Sequence, residues 1–430
     1  MFDDLTHLRY LDLSSTAIRT LPKSAGFLYN LQVLMLSKCF NLVELPENTR
    51  NLINLSHLDV TETKLEEMPP EFGRLKNLQI LTTFVVSKSS GSSMSELGRL
   101  LHLCGKLSIQ ELQNVRNVAD AEDAKLKDKE NIKELIFTWK TSGPDIRKET
   151  DVLEKSLRIQ FQDMMMHYTE LQTLHITSSC DSLTFFPLNL ANKVENLQIQ
   201  NCSHLKCIQL SKDLCQELKF LQDLDISDCD DLEFFSGRGM QTPNLTSLSL
   251  SNCKNLASMP EQMHTLLTSL QALCLSYCPK LESFPNGGLP PNLHSLLIEN
   301  CDHLTPQKDW GLNKMASLTR LTIIGGCSNL KSFPEEGLLP ASLISLQVGE
   351  LPKLEILNLR GIQFLTSLKG LHINSCNKLH CLSEGKLPVS LSSLSITGCS
   401  LMSERCQQSQ GEDWPKISHI ANKVINGKVM

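Results

Sequence analysis

The stretch LTSLSLSNC, residues 245–253, spaces Leu245, Leu248 and Leu250 by three and then two positions and ends on Cys253. LQVLMLSKC at 31–39 and LQALCLSYC at 270–278 carry the same spacing. Working outward, the frame Leu-x-x-Leu-x-Leu-x-x-Cys starts at Leu8, Leu31, Leu55 and Leu78, and again at Leu171, Val194, Leu221, Leu245, Leu270, Leu293, Leu318, Leu343, Leu368 and Leu391. Within each run the starts lie 23 to 27 residues apart, and ten of them carry a cysteine eight or nine residues on. Weaker copies sit near Leu107 and Leu135.

Leu248 and Leu250 alternate with Ser249, which is the period of a strand with the leucines turned inward and the serine outward. The cysteine falls where the chain leaves the strand. There a small, apolar side chain with a weak donor can sit among the backbone groups of a turn. Leu256 and Met259 fill the core beyond it, and Pro260 begins the return. Pro46, Pro69, Pro187, Pro285 and Pro334 take the same place, which suits an irregular return better than a strand. One such unit cannot bury its leucines alone, so copies stack. This period and frame mark a leucine-rich-repeat solenoid. The expected fold is an α/β repeat solenoid, a horseshoe with a parallel sheet on its concave face and mostly irregular convex returns. Strands are expected near Leu36, Val60, Ile176, Ile199, Ile226, Leu250, Leu275, Ile298, Ile323, Ile373 and Ile396. An enzyme built around one pocket is not expected.

Residues 1–139 read as N-terminal repeats, with a flexible Ser/Gly-rich loop at 85–95 and an exposed helical insert at 119–134, where helix formers and mixed charge predominate. Residues 140–168 break the pattern as an irregular junction. Repeats resume over 169–401, and the tail 402–430 is expected to cap the last one. The first strand begins near Leu8 with no cap before it, so its apolar face is expected to need cover.

A net charge of −6 and an isoelectric point near 6.1 argue against a nucleic-acid partner. No stretch reads as a leader peptide or a membrane span. Of 16 cysteines, ten belong to the frame, which reads as a buried, reduced ladder rather than a disulfide scaffold. Cys202, Cys229, Cys253, Cys278 and Cys301 are expected to be buried thiols. The compartment expected is the cytoplasm, with the nucleus as the alternative. Asn54, Asn201 and Asn244 fit a glycosylation pattern, but each middle residue is a core position, so the matches read as chance. Cys202 with His204 and Cys301 with His303 resemble half-sites for a metal, yet they lie four repeats apart, about 19 Å at strand spacing. No metal, cofactor or catalytic set is assigned.

The positions free to vary are those flanking the inward leucines. Candidate partner-binding residues on the concave face are His175, Gln198, Asp223, Asp225, Asp228, Ser249, Tyr277, Leu297, Glu299, Arg320, Thr322 and His372. Cys274, Asn300, Gln347 and Ser395 share these frame positions. Asp223, Asp225 and Asp228 are expected to form a local negative spot. A broad face of mixed residues suits a protein partner. The plainer reading is a solvated face.

Longer segments carry a more specific likeness. LRYLDLSSTAIRTLPKS, LYNLQVLMLSKCFNLVELP, NLINLSHLDVTETKLEEMPPEFGRLKNLQIL, KLSIQELQNV and the tail GEDWPKISHI resemble the repeat region of plant intracellular immune receptors of the coiled-coil, nucleotide-binding class. The resemblance implies recognition of a pathogen effector or a guarded host protein, and contact with the receptor's nucleotide-binding module. That module carries a Gly-x-x-x-x-Gly-Lys-[Ser/Thr] loop, which this sequence lacks, so nucleotide binding is not carried over. The stretch from Thr150 to Glu170 reads as a shortened join where the family has further repeats. The resemblance thus implies a fragment, a truncated paralogue or an imperfect gene model. The alternative function is a leucine-rich-repeat substrate receptor or scaffold, for example of F-box type in the ubiquitin pathway. Its usual turn differs from the Cys-x-x-Leu-x-x-Phe/Leu-Pro seen in CPKLESFP, residues 278–285.

Overall fold

A computed structural model describes residues 5–88, 91–140, 171–178, 183–188, 193–209, 218–237, 239–407 and 410–429. The chain forms two compact units, Met1–Thr184 with Leu190–His204, and Phe185–Asn189 with Leu205–Met430. The junction expected at 140–168 lies outside the described residues, save Lys140.

In the first unit the strands Tyr10–Asp12, Val33–Met35, His57–Asp59 and Ile80–Leu81 pair in parallel. A second parallel run joins Thr83–Val85, Gly105–Gln110, Ile132–Thr138, Thr173–Thr177 and Asn196–Gln200. Leu36 and Val60, expected near strand centres, fall just past three-residue strands. The two copies weakest in sequence form the two longest of these strands.

In the second unit a parallel run links Asp223–Ser227, Ser247–Ser251, Ala272–Ser276, Ser295–Glu299, Arg320–Ile324, Ser345–Gly349, Gly370–Asn374, Ser393–Thr397 and Asn422–Ile425. Register is fixed by the frame: Leu224, Leu248, Leu273, Leu296, Leu321, Leu346, Leu371 and Leu394 face one another in turn. Each of these leucines is at most 2 % exposed. A one-residue slip would turn them all outward, which is why the register does not drift.

The returns hold more structure than expected. Pro22 and Pro46 precede the 3-10 turns Lys23–Phe27 and Glu47–Asn51. Two small parallel sheets also form on the return side of the second unit, Phe185–Pro187 with Cys207–Gln209 and Phe234–Ser236, and Ser332–Phe333 with Ile356–Leu357 and Cys381–Leu382. Pro187 ends a strand there, at the sheet's edge, where its missing donor costs nothing.

Two further expectations need correction. The stretch 85–95 is not a free loop in its described part. Val85, Val86, Ser87 and Ser92 are at most 2 % exposed. Ser92 donates its hydroxyl to the Pro69 carbonyl and accepts from Phe72 N, so small polar side chains satisfy buried backbone. The insert 119–134 is not one exposed helix. A single turn and a half, Val118–Glu122, is capped by Asn117 Oδ1 accepting from Asp120 N at 2.9 Å. Ala121, Ala124 and Leu126 are then buried, and the strand starts at Ile132. Helix propensity loses to the need to return to the sheet. Lys129, 1 % exposed, donates to Leu97 O and Leu100 O at 2.8 Å each, closing the turn Met94–Arg99; burial lowers its amine to about 8.

The cysteine ladder lies inside. Cys202, Cys229, Cys253 and Cys278 are 0 % exposed and Cys301 is 1 % exposed. Among the described residues every cysteine is a thiol outside any disulfide. Cys253 Sγ lies 3.5 Å from Ser251 O and 3.9 Å from Ile226 O of the repeat before. Cys278 and Cys301 repeat this with Leu250 O and Leu275 O, both at 3.7 Å. Its hydrogen bond to Cys253, aided by burial, pushes the Cys278 thiol up to about 12. Asparagines stitch the other end of the strand. Asn54 Nδ2 donates to Tyr29 O at 2.7 Å and Asn244 Nδ2 to Lys219 O at 2.6 Å. Asn201, on the turn just before Cys202, donates Nδ2 to Ser178 Oγ at 2.9 Å, so all three amides of the glycosylation-like triplets are engaged.

Replacing Cys253 with Asp puts an uncompensated charge into this ladder and is expected to cost about 3–5 kcal/mol. A urea titration of wild type and variant measures it, and a loss below 1 kcal/mol, about the worth of one ordinary hydrogen bond, would contradict the inward assignment.

Candidate interaction face

The alternation that buries one leucine in two sends the residues between them to the other face. In the second unit the middle positions stand in register as Asp225, Ser249, Cys274, Leu297, Thr322, Gln347, His372 and Ser395. All are half-buried. One flanking column runs Asp223, Ser247, Ala272, Ser295, Arg320, Ser345, Gly370 and Ser393. The other includes Ser276, Glu299, Ile324, Gly349 and Asn374. Small residues predominate, so Asp223, Asp225, Leu297, Glu299, Arg320 and His372 are the landmarks of the face. Ser276 Oγ donates to Glu299 Oε2 at 3.2 Å, fixing that carboxylate over its neighbour.

Three sequence-assigned residues do not belong to this face. Asp228, Tyr277 and Asn300 follow the strand and adopt left-handed backbone, with φ of 55°, 54° and 50°. Asn252, Gly325, Glu350, Ser375 and Gly398 share the conformation at the same frame position. The turn lets the N–H extend the ladder by one bond, as in Asp228 N to Ser251 O at 3.0 Å and Tyr277 N to Glu299 O at 2.8 Å; Gly398 N instead donates to Asn426 Oδ1 at 2.9 Å. Asn, Asp and Gly accept this region most readily, and their recurrence just before the cysteine was the available signal. The expected negative spot is therefore divided. Asp223 and Asp225 share the strand, whereas Asp228 accepts from Asn252 Nδ2 at 2.6 Å on the turn. Asp230 is paired with Lys254 at 2.8 Å.

His175 and Gln198 lie in the first unit and face each other in adjacent strands. Two residues that the sequence reading missed join them. Glu134 Oε1 takes Lys106 Nζ at 2.7 Å and lies 3.5 Å from His175 Nε2. Lys106 and Glu134 occupy outward positions in the strands of the weak repeats, which the frame did not index. Burial lowers the His175 pKa, opposed by Glu134 and reinforced by Lys106. The metal half-sites dissolve in the ladder: Cys202 and Cys301 turn inward, with Sγ 3.3 Å from Gln200 O and 3.5 Å from Glu299 O.

With this geometry in place, likeness to known proteins can be read. The family described as leucine-rich repeat region matches residues 1–209. The chain is a leucine-rich-repeat region related to plant disease resistance proteins. An RPP13-like disease resistance protein of Arabidopsis thaliana is 34 % identical over 437 residues, covering 95 % of this chain and 40 % of the relative. Another disease resistance protein of Arabidopsis thaliana is 33 % identical over 291 residues, covering 67 % of this chain and 20 % of its own length. The chain thus spans between a fifth and two fifths of these relatives. Among solved structures, a leucine-rich-repeat protein of Leptospira interrogans aligns with 93 % of this chain and 92 % of its own at 18 % identity and a TM-score of 0.36. Among the described residues no helix is long and apolar enough to cross a membrane.

Because Glu134 raises the His175 pKa and Lys106 lowers it, the two have opposite effects when removed. Glu134→Gln is expected to move the His175 titration midpoint further below its ordinary value of 6.5, and Lys106→Met to move it up. Proton NMR of the imidazole checks both signs.

Proposed function

We propose that this chain is the protein-recognition part of a plant intracellular immune receptor. Its sheet face would take a pathogen effector, a guarded host protein or the nucleotide-binding module of a receptor. One observation carries the reading: the inward columns hold almost only leucine, isoleucine and valine, while the outward columns in the same register vary from Asp to Leu to Arg to His. Packing fixes the first set and leaves the second available for a partner. A broad surface of chemically mixed side chains suits a protein partner. Recognition rather than catalysis suits this face. The buried thiol ladder suits a reducing compartment, the cytoplasm first and the nucleus second.

Within that face Asp223 and Asp225 are the concentrated charge, and their effect would be on encounter with a basic partner surface. Asp223→Asn with Asp225→Asn is expected to slow association about threefold at low ionic strength and hardly at all at physiological salt, where screening acts within about 8 Å. Stopped-flow association with a partner captured from plant extract measures this. Asp228→Asn serves as the control, since its carboxylate already serves Asn252. Equal rates for the double variant and wild type at low salt would remove these two residues from the interface.

A further inference from the structure

In the first unit Leu11, Leu34, Leu58 and Leu81 stand in register at the inward frame position. The residues on either side of them belong to the outward face. One column runs Tyr10, Val33, His57 and Ile80, and the next runs Asp12, Met35 and Asp59. The frame column of Tyr10 is mostly Ser, Ala and Gly in the second unit; here it is aromatic and aliphatic. Tyr10 is 57 % exposed, and Val33, Met35, His57 and Ile80 are half-buried. The core of these repeats lies under Leu34, Leu58 and Leu81, so the outward apolar side chains are not needed for it. A contiguous exposed apolar patch rimmed by polar groups is the mark of a protein contact.

Two carboxylates flank Met35 in this patch. Asp12 Oδ1 accepts from Ser14 N at 2.9 Å, and Oδ2 accepts from Tyr10 Oη at 3.4 Å. Asp59 Oδ1 accepts from Thr61 N at 3.0 Å and from Thr82 Oγ1 at 3.1 Å. The bonds from Ser14 hold the Asp12 carboxyl below its ordinary value. Burial opposes the charge on Asp59, and the bonds from Thr61, Thr82 and Ser37 outweigh it. Both groups are therefore ionised at neutral pH and fixed in place by neutral donors. Among the described residues neither meets a lysine or arginine, whereas Glu71, Glu96, Glu134 and Asp230 each pair with one. Asp59 is half-buried, so it gives up part of its hydration with no counter-ion in return. Two strands separate Asp12 from Asp59, about 9.6 Å at strand spacing.

We propose that this face docks a protein segment presenting two arginines about 10 Å apart with an apolar side chain between them, the arginines to Asp12 and Asp59 and the apolar group to Val33 and Met35. Charge complementarity selects the cations, since the carboxylates are fixed and lack partners. Arginine fits better than lysine. Its planar guanidinium takes both oxygens of a carboxylate and lies against an exposed aromatic ring, which Tyr10 supplies beside Asp12. The apolar group seated on Met35 excludes water from both pairs and so strengthens them. Seven residues of α-helix rise about 10.5 Å, so arginines two turns apart on one helix face have the required spacing. The inference rests on the reading that the sheet face binds proteins, and assigns a surface other than that of Asp223 and Asp225. Every residue it uses belongs to the first unit.

The test titrates the full chain with a fluorescein-labelled helical peptide that carries arginines at i and i+7 and leucines at i+3 and i+4, read by fluorescence anisotropy. Wild type is compared with three double variants: Asp12→Asn with Asp59→Asn, Val33→Ser with Met35→Ser, and Asp223→Asn with Asp225→Asn. Asparagine keeps the Oδ1 acceptor for Ser14 and Thr61, and circular dichroism checks that each variant is folded. Saturable binding to wild type is expected, weakened about tenfold in the first two variants and unchanged in the third. A peptide with glutamine at both arginine positions, and one of the same composition in scrambled order, should each bind about tenfold more weakly. Four results overturn the proposal: no saturable binding to wild type, full affinity in the folded Asp12 and Asp59 variant, an equal loss in the Asp223 and Asp225 variant, or a scrambled peptide that binds as tightly. Absence of peptide binding, with the salt-dependent effect of Asp223 and Asp225 on a captured partner intact, would remove this inference and leave the broader reading in place.

Discussion

Each repeat here is covered only by its neighbours, and that mutual cover is the constraint from which the rest follows. Leu34 and Leu36 are 1 % and 0 % exposed with a strand on either side. Leu11 and Leu13, the same frame positions in the edge strand, are only half-buried. Identical residue types in an identical frame thus differ in burial by one missing neighbour. Fully burying a leucine is worth about 1.5–3 kcal/mol, so the gain accrues at the contact between repeats and not within one.

Covering leucines on every strand requires that the chain leave the strand in the same way each time. The left-handed residue and the cysteine after it perform this together. The first extends the ladder by one bond and turns the chain; the second fills the space behind the turn and points its thiol at carbonyls of its own and the preceding repeat. Asparagine amides do the equivalent work at the strand's start. The outward face carries none of this duty, which is why Asp225, Leu297 and His372 can differ so widely within one column, and Asp223 and Arg320 within another. On the edge of the return-side sheet, Asp413 Oδ2 accepts from Leu382 N and Lys416 Nζ donates to Leu382 O.

The repeat, its register and its inward set are legible in the amino-acid sequence. Leucines at a fixed frame admit only one face toward a core, and the strands from Thr173–Thr177 onward lie where the frame places them. The buried thiols followed from the same argument, because a cysteine locked to the frame shares the frame's environment. Most candidate face residues were legible for that reason too. The remainder depends on packing between repeats. It moved Asp228, Tyr277 and Asn300 from the face to the turn, since backbone φ is not written in hydropathy. It buried Ser87, Ser92 and Lys129, whose polar side chains found carbonyls and amides that sequence spacing cannot supply. It shortened the helix at 118–122, where a strand waited ten residues on. And it brought Lys106, Glu134 and His175 to one oxygen atom, and Asp413 to Leu382 across thirty-one positions, because such meetings depend on how strands stack and not on what precedes each residue in the chain.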